Sequence, residues 1–278
     1  MKGVILSHVE QVEYMKERAR QLAAEMASKL DPREAVSDPA AFVERLLIAL
    51  LAVLGPDAVA LARDAAEYAA QLGLPTLSAD RVKEVTAEAE RRFYASAAPA
   101  LKDVVLQIAA RVGDIAAAGV ALPIAAAALG TIATQAALLA PLTGVAKRLS
   151  ASYMQFVERD VNDAAANDLL ERSATDRKFA ETRTFTWIAV MDRNTCDSEA
   201  KDAFNHACAP RHGHMADIGT WRAYGLPGSP VLICSMHAPR GASPCRCIVA
   251  DSEVVGGLGP IDASEAVKRG RDRARPAR

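Results

Sequence analysis

The chain has 278 residues, which is long enough for one large domain or two small ones, each with its own core. Hydrophobic residues make up 51% of the chain but aromatic residues only 5%, and alanine supplies much of the apolar content. Because alanine is the strongest helix former and buries little area per residue, this composition favours closely packed helices and argues against a protein built mainly of sheet. The net charge of −1 does not indicate a partner, because the charges are unevenly placed.

The first predicted element is a long amphipathic helix near the N-terminus. We expect Asp31-Pro32 to end it, because a proline disfavours helical backbone at the residue before it. The apolar run at positions 4–6 is too short for the hydrophobic region of a secretory signal, so no such signal is predicted. The apolar stripe of the helix recurs at steps of three and four residues: Ile5, Val9, Val12, Met15, Ala19, Leu22, Met26 and Leu30.

Three more helices are predicted before residue 98. The second begins near Pro39 and ends at Gly55-Pro56, and the third runs from Pro56 to Leu72, where a glycine and a proline follow. Ser78 suits the N-cap of the fourth, because its hydroxyl can accept a hydrogen bond from a free backbone N–H. The residues expected to face the core in the second and fourth helices are Phe42, Leu46, Leu47, Leu50, Leu54, Val82, Val85 and Phe93.

The stretch from Ile115 to Ala146 contains no charged residue and is long enough to cross a bilayer. Alanine and glycine dominate it, however, and Pro123 and Pro141 are expected to break it. A pair of buried helices packed through small residues is therefore favoured over a membrane segment. Alanine-rich faces without charged rims also suggest self-association, so a homo-oligomer is expected.

The pattern changes from helical to strand-like near residue 182. Amphipathic spacing from Arg148 to Leu170 predicts another helix, and the run Thr184 to Val190 is rich in β-prone residues that alternate as in a short strand. The predicted fold class is mainly α, with a small α+β cysteine-rich module at the C-terminal end. The predicted segments are a helical region at 1–98, an alanine-rich helical region at 99–180, the cysteine-rich module at 181–250 and a basic tail at 251–278.

The basic tail carries arginine at nearly every second position towards the end of the chain. Lys268, Arg269, Arg271, Arg273 and Arg275 stand there, followed by Arg278, with Asp272 as the one acid among them. Such a tail is expected to be solvated and disordered. The alternative is that it faces phosphates, such as those of DNA.

All five cysteines fall between positions 196 and 247, and this clustering is the most informative feature of the composition. In a reducing cytosol such a cluster favours a metal site over disulfides, and a structural zinc site takes four thiolate or imidazole ligands. Disulfides, and thiols that only pack, remain alternatives because no standard C-x2-C pair is present. The candidate zinc ligands are Cys196, Cys208, Cys234, His237, Cys245 and Cys247.

The same region resembles a known family. The segment from Trp187 to Cys196 fits the pattern W-x4-D-x-x-T-C, Cys208 to Gly213 fits C-x4-G, and Pro244 to Cys247 reads P-C-R-C. In this order the motifs resemble the C-terminal domain of the Mu-type (SPP1-like) phage head-morphogenesis proteins, over about residues 175–250. Two departures are a longer gap after Cys196 and Ala242 in place of a histidine, so the resemblance leaves the third zinc ligand open between Cys234 and His237.

The resemblance implies a minor capsid protein of a tailed bacteriophage. In such proteins the N-terminal helices associate with the portal, and the cysteine module faces the capsid interior or its DNA. The resemblance therefore implies location in the virion after assembly in the bacterial cytoplasm. The implied partners are the portal protein and major capsid proteins, with packaged DNA as a further partner of the basic tail.

The hypothesis of an enzyme has less support, because no catalytic motif accompanies the histidines and cysteines. Residues 211–214 read R-H-G-H, but the chain contains no H-E-x-x-H, no G-x-S-x-G and no phosphate-binding glycine loop that opens a helix. A non-enzymatic protein is therefore predicted. The alternatives kept are a membrane-active virion protein ejected during infection and a zinc-dependent nuclease-like enzyme.

Overall fold

A computed structural model describes the protein, and its helical residues make up 85% of those that can be interpreted. This confirms the prediction of a mainly α chain. The described residues are 1–30, 34–119, 125–176, 178, 182–188, 190–191, 215–217, 248–258 and 261–275.

Five helices precede the first strand in the described part of the chain, and two short helices follow. They are α1 (Lys2–Ser28), α2 (Glu34–Ser37), α3 (Pro39–Gln71), α4 (Ala79–Gly119), α5 (Ala125–Thr175), α6 (Ser252–Val255) and α7 (Ser264–Ala274).

The strands of the described residues form two small sheets. They are β1 (Thr184–Ile188), β2 (Val190–Met191), β3 (Met215–Asp217), β4 (Ile248–Asp251) and β5 (Ile261–Asp262). β1 lies between β3 and β4 and is antiparallel to both, whereas β2 pairs with β5 in parallel. The strand predicted from residue 184 is therefore confirmed.

The predicted apolar stripe of α1 is buried over its first half. Ile5, Val9, Val12, Met15 and Ala19 are all buried. In the second half the buried positions are Ala23 and Ala27, whereas the predicted Leu22 and Met26 are half-buried. The prediction for the second half is thus off by one position.

The predicted boundary between two helices at Gly55-Pro56 is wrong, because α3 is continuous from residue 39 to 71 with Pro56 inside it. A proline within a helix removes one backbone hydrogen bond, and its ring collides with the carbonyl four residues earlier and with a Cβ on the residue directly before it. Gly55 has no Cβ, which removes the last of these clashes. Leu54 and Ala58, on either side of the pair, are fully buried, and this packing favours one continuous helix.

The N-cap predicted at Ser78 is confirmed. Its hydroxyl accepts a hydrogen bond from the Arg81 backbone N–H at 3.2 Å, and α4 begins at the next residue. Val82, Val85 and Phe93 are buried, as the spacing predicts. The local rule and the apolar pattern therefore agree here.

The uncharged stretch at 115–146 includes parts of α4 and α5. The break predicted at Pro141 is wrong, because α5 runs through it, and Pro123 lies outside the described residues. The side chains of 111–141 are also outside the description, so the choice between buried helices and a membrane segment stays a prediction. Among the described residues, α3 alone is long and apolar enough to cross a membrane, and 44% of its apolar window is buried within the protein.

The chain divides into two compact units. The terminal unit comprises Met1–Tyr14, Ala60–Thr86 and Val157–Arg278, and the helical unit comprises Met15–Val59 and Ala87–Phe156. The core of the helical unit includes the rings of Phe93 and Tyr153, whose centroids lie 5.0 Å apart.

The core of the terminal unit is shared by the N-terminal helix, the end of α3, the strands and the last helix. The strands therefore bury their apolar residues against the helices of the first part of the chain. Its buried members are Ile5, Val9, Tyr68, Leu72, Ile188, Val190, Ala250, Val255, Ile261, Ala263, Ala266 and Val267.

The expectation of a disordered basic tail is wrong for residues 264–274, which form α7. Ala266 and Val267 are buried in the core of the terminal unit, and this apolar contact orders the helix. The arginines that suggested disorder are engaged by acidic side chains, as described below.

Candidate functional site

The six candidate zinc ligands lie outside the described residues, so the predicted zinc site stays a prediction. They are Cys196, Cys208, Cys234, His237, Cys245 and Cys247. Within the described ranges, no group of three or more histidine, cysteine or acidic side chains is arranged to hold a metal ion.

The two ends of the cysteine-rich segment lie side by side at the sheet. Ile188 of β1 pairs with Ile248 of β4, and Trp187 pairs with Val249. Ile188 is fully buried, and it precedes Cys196 by eight residues, whereas Ile248 directly follows Cys247. Antiparallel pairing thus brings Ile188 and Ile248, which flank residues 189–247 in the sequence, next to each other in the sheet.

The Asp251 side chain, at the end of β4, binds both α6 and Arg183. Its side chain caps α6 by accepting the Glu253 backbone N–H at 2.9 Å. Its other carboxylate oxygen accepts a hydrogen bond from the Arg183 guanidinium at 2.8 Å, and this guanidinium also reaches Glu253 at 3.0 Å. The Asp251 side chain is only 4% exposed. Arg183, which directly precedes β1, therefore neutralises a buried charge.

A groove of about 460 Å³ lies in the terminal unit between α1, α3 and α7. Its walls include Ser7 and Gln11 of α1, Asp64 and Glu67 of α3, and Arg273 of α7. The groove is therefore lined by polar and charged side chains from three helices, of which α1 and α7 lie at opposite ends of the chain.

Two stacked rings form part of this groove. His8 and Tyr68 lie parallel, with centroids 3.9 Å apart, and both residues are buried. The Nε2 atom of His8 is 3.5 Å from a Glu158 carboxylate oxygen and makes no hydrogen bond. Burial, aided by the Glu158 charge, raises the pKa of Tyr68 far above its usual range, so the phenol stays protonated.

The arginines of α7 contact the acidic side of α1. Arg269 binds Glu10 at 2.9 Å and Arg271 binds Glu13 at 3.1 Å. Arg273 reaches Glu10 at 3.4 Å, and its guanidinium lies 4.2 Å from the centre of the Tyr14 ring. The Glu13 side chain is 2% exposed, so its pair with Arg271 is the most deeply buried of these contacts.

A glycine allows α7 to approach α1 this closely. A Cβ on Gly270 would collide with the backbone carbonyl oxygen of Glu10 and would lie 2.9 Å from the Glu13 Cβ. The neighbouring residues Arg269 and Arg271 can reach α1 because Gly270 lies directly against it.

Sequence reasoning did not predict this interface between α1 and α7. One signal was present: Glu10 and Glu13 are three residues apart on a predicted helix, and Arg269 and Arg273 are four apart. These spacings place each pair on one helix face. A tail predicted to be disordered has no fixed face, so pairing of these arginines with the glutamates of α1 was not expected.

Comparison of the chain with protein families, with curated proteins and with solved structures finds no match.

Proposed function

We propose that the chain is a minor capsid, or head-morphogenesis, protein of a tailed bacteriophage. It would bind at the portal vertex and aid head assembly or DNA packaging. The proposal rests on the resemblance of the cysteine-rich segment, from Trp187 to Cys247, to the head-morphogenesis family.

The observation that carries the proposal is the pairing of β1 with β4. The motifs that carry the resemblance begin within β1, at Trp187, and end at Cys247, directly before β4, and these two strands pair over four residue pairs. A module that begins and ends at paired strands suits a compact cysteine-rich unit. The positions of the motifs and the pairing of β1 with β4 therefore support the same bounds for the module.

Association with the portal is testable on the intact chain. α1 contributes to the core of the terminal unit, so deleting helices would disturb folding, and surface substitutions are preferable. Ile48 and Leu106 are 56% and 49% exposed on α3 and α4. We expect Ile48→Ser with Leu106→Ser to weaken co-purification with portal oligomers of the same phage.

Val254→Ser is the matched control, because this side chain is 39% exposed but lies on α6. It should leave co-purification unchanged. Failure of the unmodified chain to associate with portal oligomers, or its absence from a cryo-EM map of the intact particle, would contradict the proposed function.

We propose separately that the cysteines hold a structural zinc ion. Thiolate and imidazole groups suit zinc, and the free energy of binding a metal would contribute to folding. Protein purified without chelators should contain zinc near one equivalent, and Cys245→Ser with Cys247→Ser should lower that content. Zinc far below one equivalent in the unmodified protein would reject this assignment.

A membrane-active virion protein is the second candidate, because α3 has the length and apolar composition of a membrane-crossing helix. Flotation of the intact chain with liposomes tests it. Co-migration with the vesicles would favour this candidate, whereas recovery of the protein at the bottom of the gradient would count against it.

A further inference from the structure

The first half of α7 (residues 264–268) and its second half (residues 269–274) are held by different kinds of contact. In the first half Ala266 and Val267 are buried in the core of the terminal unit. In the second half Gly270 is buried against α1, and its neighbours Arg269, Arg271 and Arg273 are held by polar contacts. The second half can therefore leave α1 without exposing the apolar core of the first half.

In the second half of α7, three arginines form ion pairs with two glutamates of α1. Arg269 and Arg273 share Glu10, and their side chains are 55% and 47% exposed. Ion pairs this exposed are screened by solvent and contribute little each. The pair between Arg271 and the buried Glu13 is the stronger anchor.

The same guanidinium groups are suited to phosphate. An arginine side chain binds a phosphate with parallel hydrogen bonds, as it binds a carboxylate. Duplex DNA presents a dense row of phosphates and gains affinity with each charge that a protein neutralises. Glu10 and Glu13 therefore pair with the same guanidinium groups that α7 would use to bind DNA phosphates.

We propose that the second half of α7 is a masked DNA-binding element, held by Glu10 and Glu13 of α1 and released when DNA phosphates compete for its arginines. This inference deepens the proposed function, because it states how contact with packaged DNA would be regulated.

The test measures binding of a short fluorescent duplex DNA by anisotropy at several salt concentrations. Glu10→Gln with Glu13→Gln should bind at least about tenfold more tightly than the unmodified chain. The plot of log affinity against log salt should steepen by about 0.9 for each arginine released.

Glu84→Gln with Glu88→Gln is the matched control. It removes the same two charges and frees arginines on α4, because Glu84 pairs with Arg81 and Glu88 with Arg91. A smaller gain in the control than in the α1 variant separates unmasking of α7 from a general change in net charge.

Glu10→Gln alone covers the case in which loss of the buried Glu13 charge disturbs folding, because Glu10 is partly exposed and holds two of the three arginines. Adding Arg269→Gln, Arg271→Gln and Arg273→Gln should abolish the gain in affinity. The inference is overturned if Glu10→Gln binds DNA no more tightly than Glu84→Gln, which also removes one charge and frees one arginine, or if the gain survives loss of the arginines. Portal association is measured separately, so either proposal can fail alone.

Discussion

The backbone N–H of Asp251 donates a hydrogen bond of 2.8 Å to the carbonyl oxygen of Leu72. This bond joins the end of β4 to the residue that directly follows α3, far away in the sequence. Leu72 would otherwise leave a carbonyl without an intrahelical partner, as residues at helix ends do. The sheet therefore supplies a cap for the helix, and the helix fixes the point where β4 ends.

Gly73 should not tolerate a side chain. Its φ of +82° is in the left-handed region, and a Cβ there would collide with the Asp251 Cβ and lie 3.0 Å from Val254. We expect Gly73→Ala to lower the free energy of unfolding by about 2–5 kcal/mol, from backbone strain and overpacking together. Urea unfolding followed by circular dichroism measures this loss.

Gly256→Ala is its control. Gly256 has a φ of +62° but open space around the position of a Cβ, so only the strain of about 1–2 kcal/mol applies. Equal losses for the two variants would show that contact with Asp251 does not constrain Gly73.

Gly270→Ala should loosen the docking of α7 on α1. The added methyl group meets the Glu10 carbonyl oxygen, which is backbone and cannot move aside cheaply. A loss of about 1–3 kcal/mol in the free energy of unfolding is expected. Gly144→Ala in α5, where a Cβ meets nothing within 4 Å, should instead stabilise the protein by about 0.5–1 kcal/mol. Stabilisation by both substitutions would contradict the observed packing.

Arg183→Ala should cost more than the loss of its exposed partner. It leaves the buried Asp251 carboxylate without its cation, and we expect a loss of about 2 kcal/mol in the free energy of unfolding. Glu253→Gln removes only a 77% exposed carboxylate and should cost about 0–1 kcal/mol. Denaturant unfolding of both variants decides the comparison, and the reverse order would refute it.

Asp57 should make stability fall as the pH rises. Burial raises the pKa of this carboxyl above its ordinary 3.8, although the Arg18 charge opposes the rise. The folded chain therefore binds the Asp57 proton more tightly than the unfolded chain. This difference costs stability as the pH rises from 3.8 through the folded pKa, and the cost persists at neutral pH.

Asp57→Asn should remove this cost, so its stability relative to the unmodified chain should increase with pH over that window and then level off. Arg18→Gln should have the opposite effect, because it removes the charge that lowers the pKa of Asp57. Thermal unfolding between about pH 3 and pH 8 measures both. A flat difference between the Asn variant and the unmodified chain would contradict the prediction.

The sequence by itself determined the features that depend on near neighbours. Apolar residues at steps of three and four predicted the buried faces of α3 and α4, because a helix repeats every 3.6 residues. The Ser78 hydroxyl predicted the start of α4, because an N-cap acts within three residues. The β-prone run from Thr184 predicted β1 for a similarly local reason.

Only the tertiary structure decided the features that depend on distant partners. Pro56 would end an isolated helix, but core packing on both sides of it keeps α3 continuous. The arginine-rich end of the chain is ordered because Ala266 and Val267 are buried in one core with Ile5 and Val9, which lie at the other end of the sequence. No local pattern records such a contact, because its free energy comes from charge and surface that folding brings together.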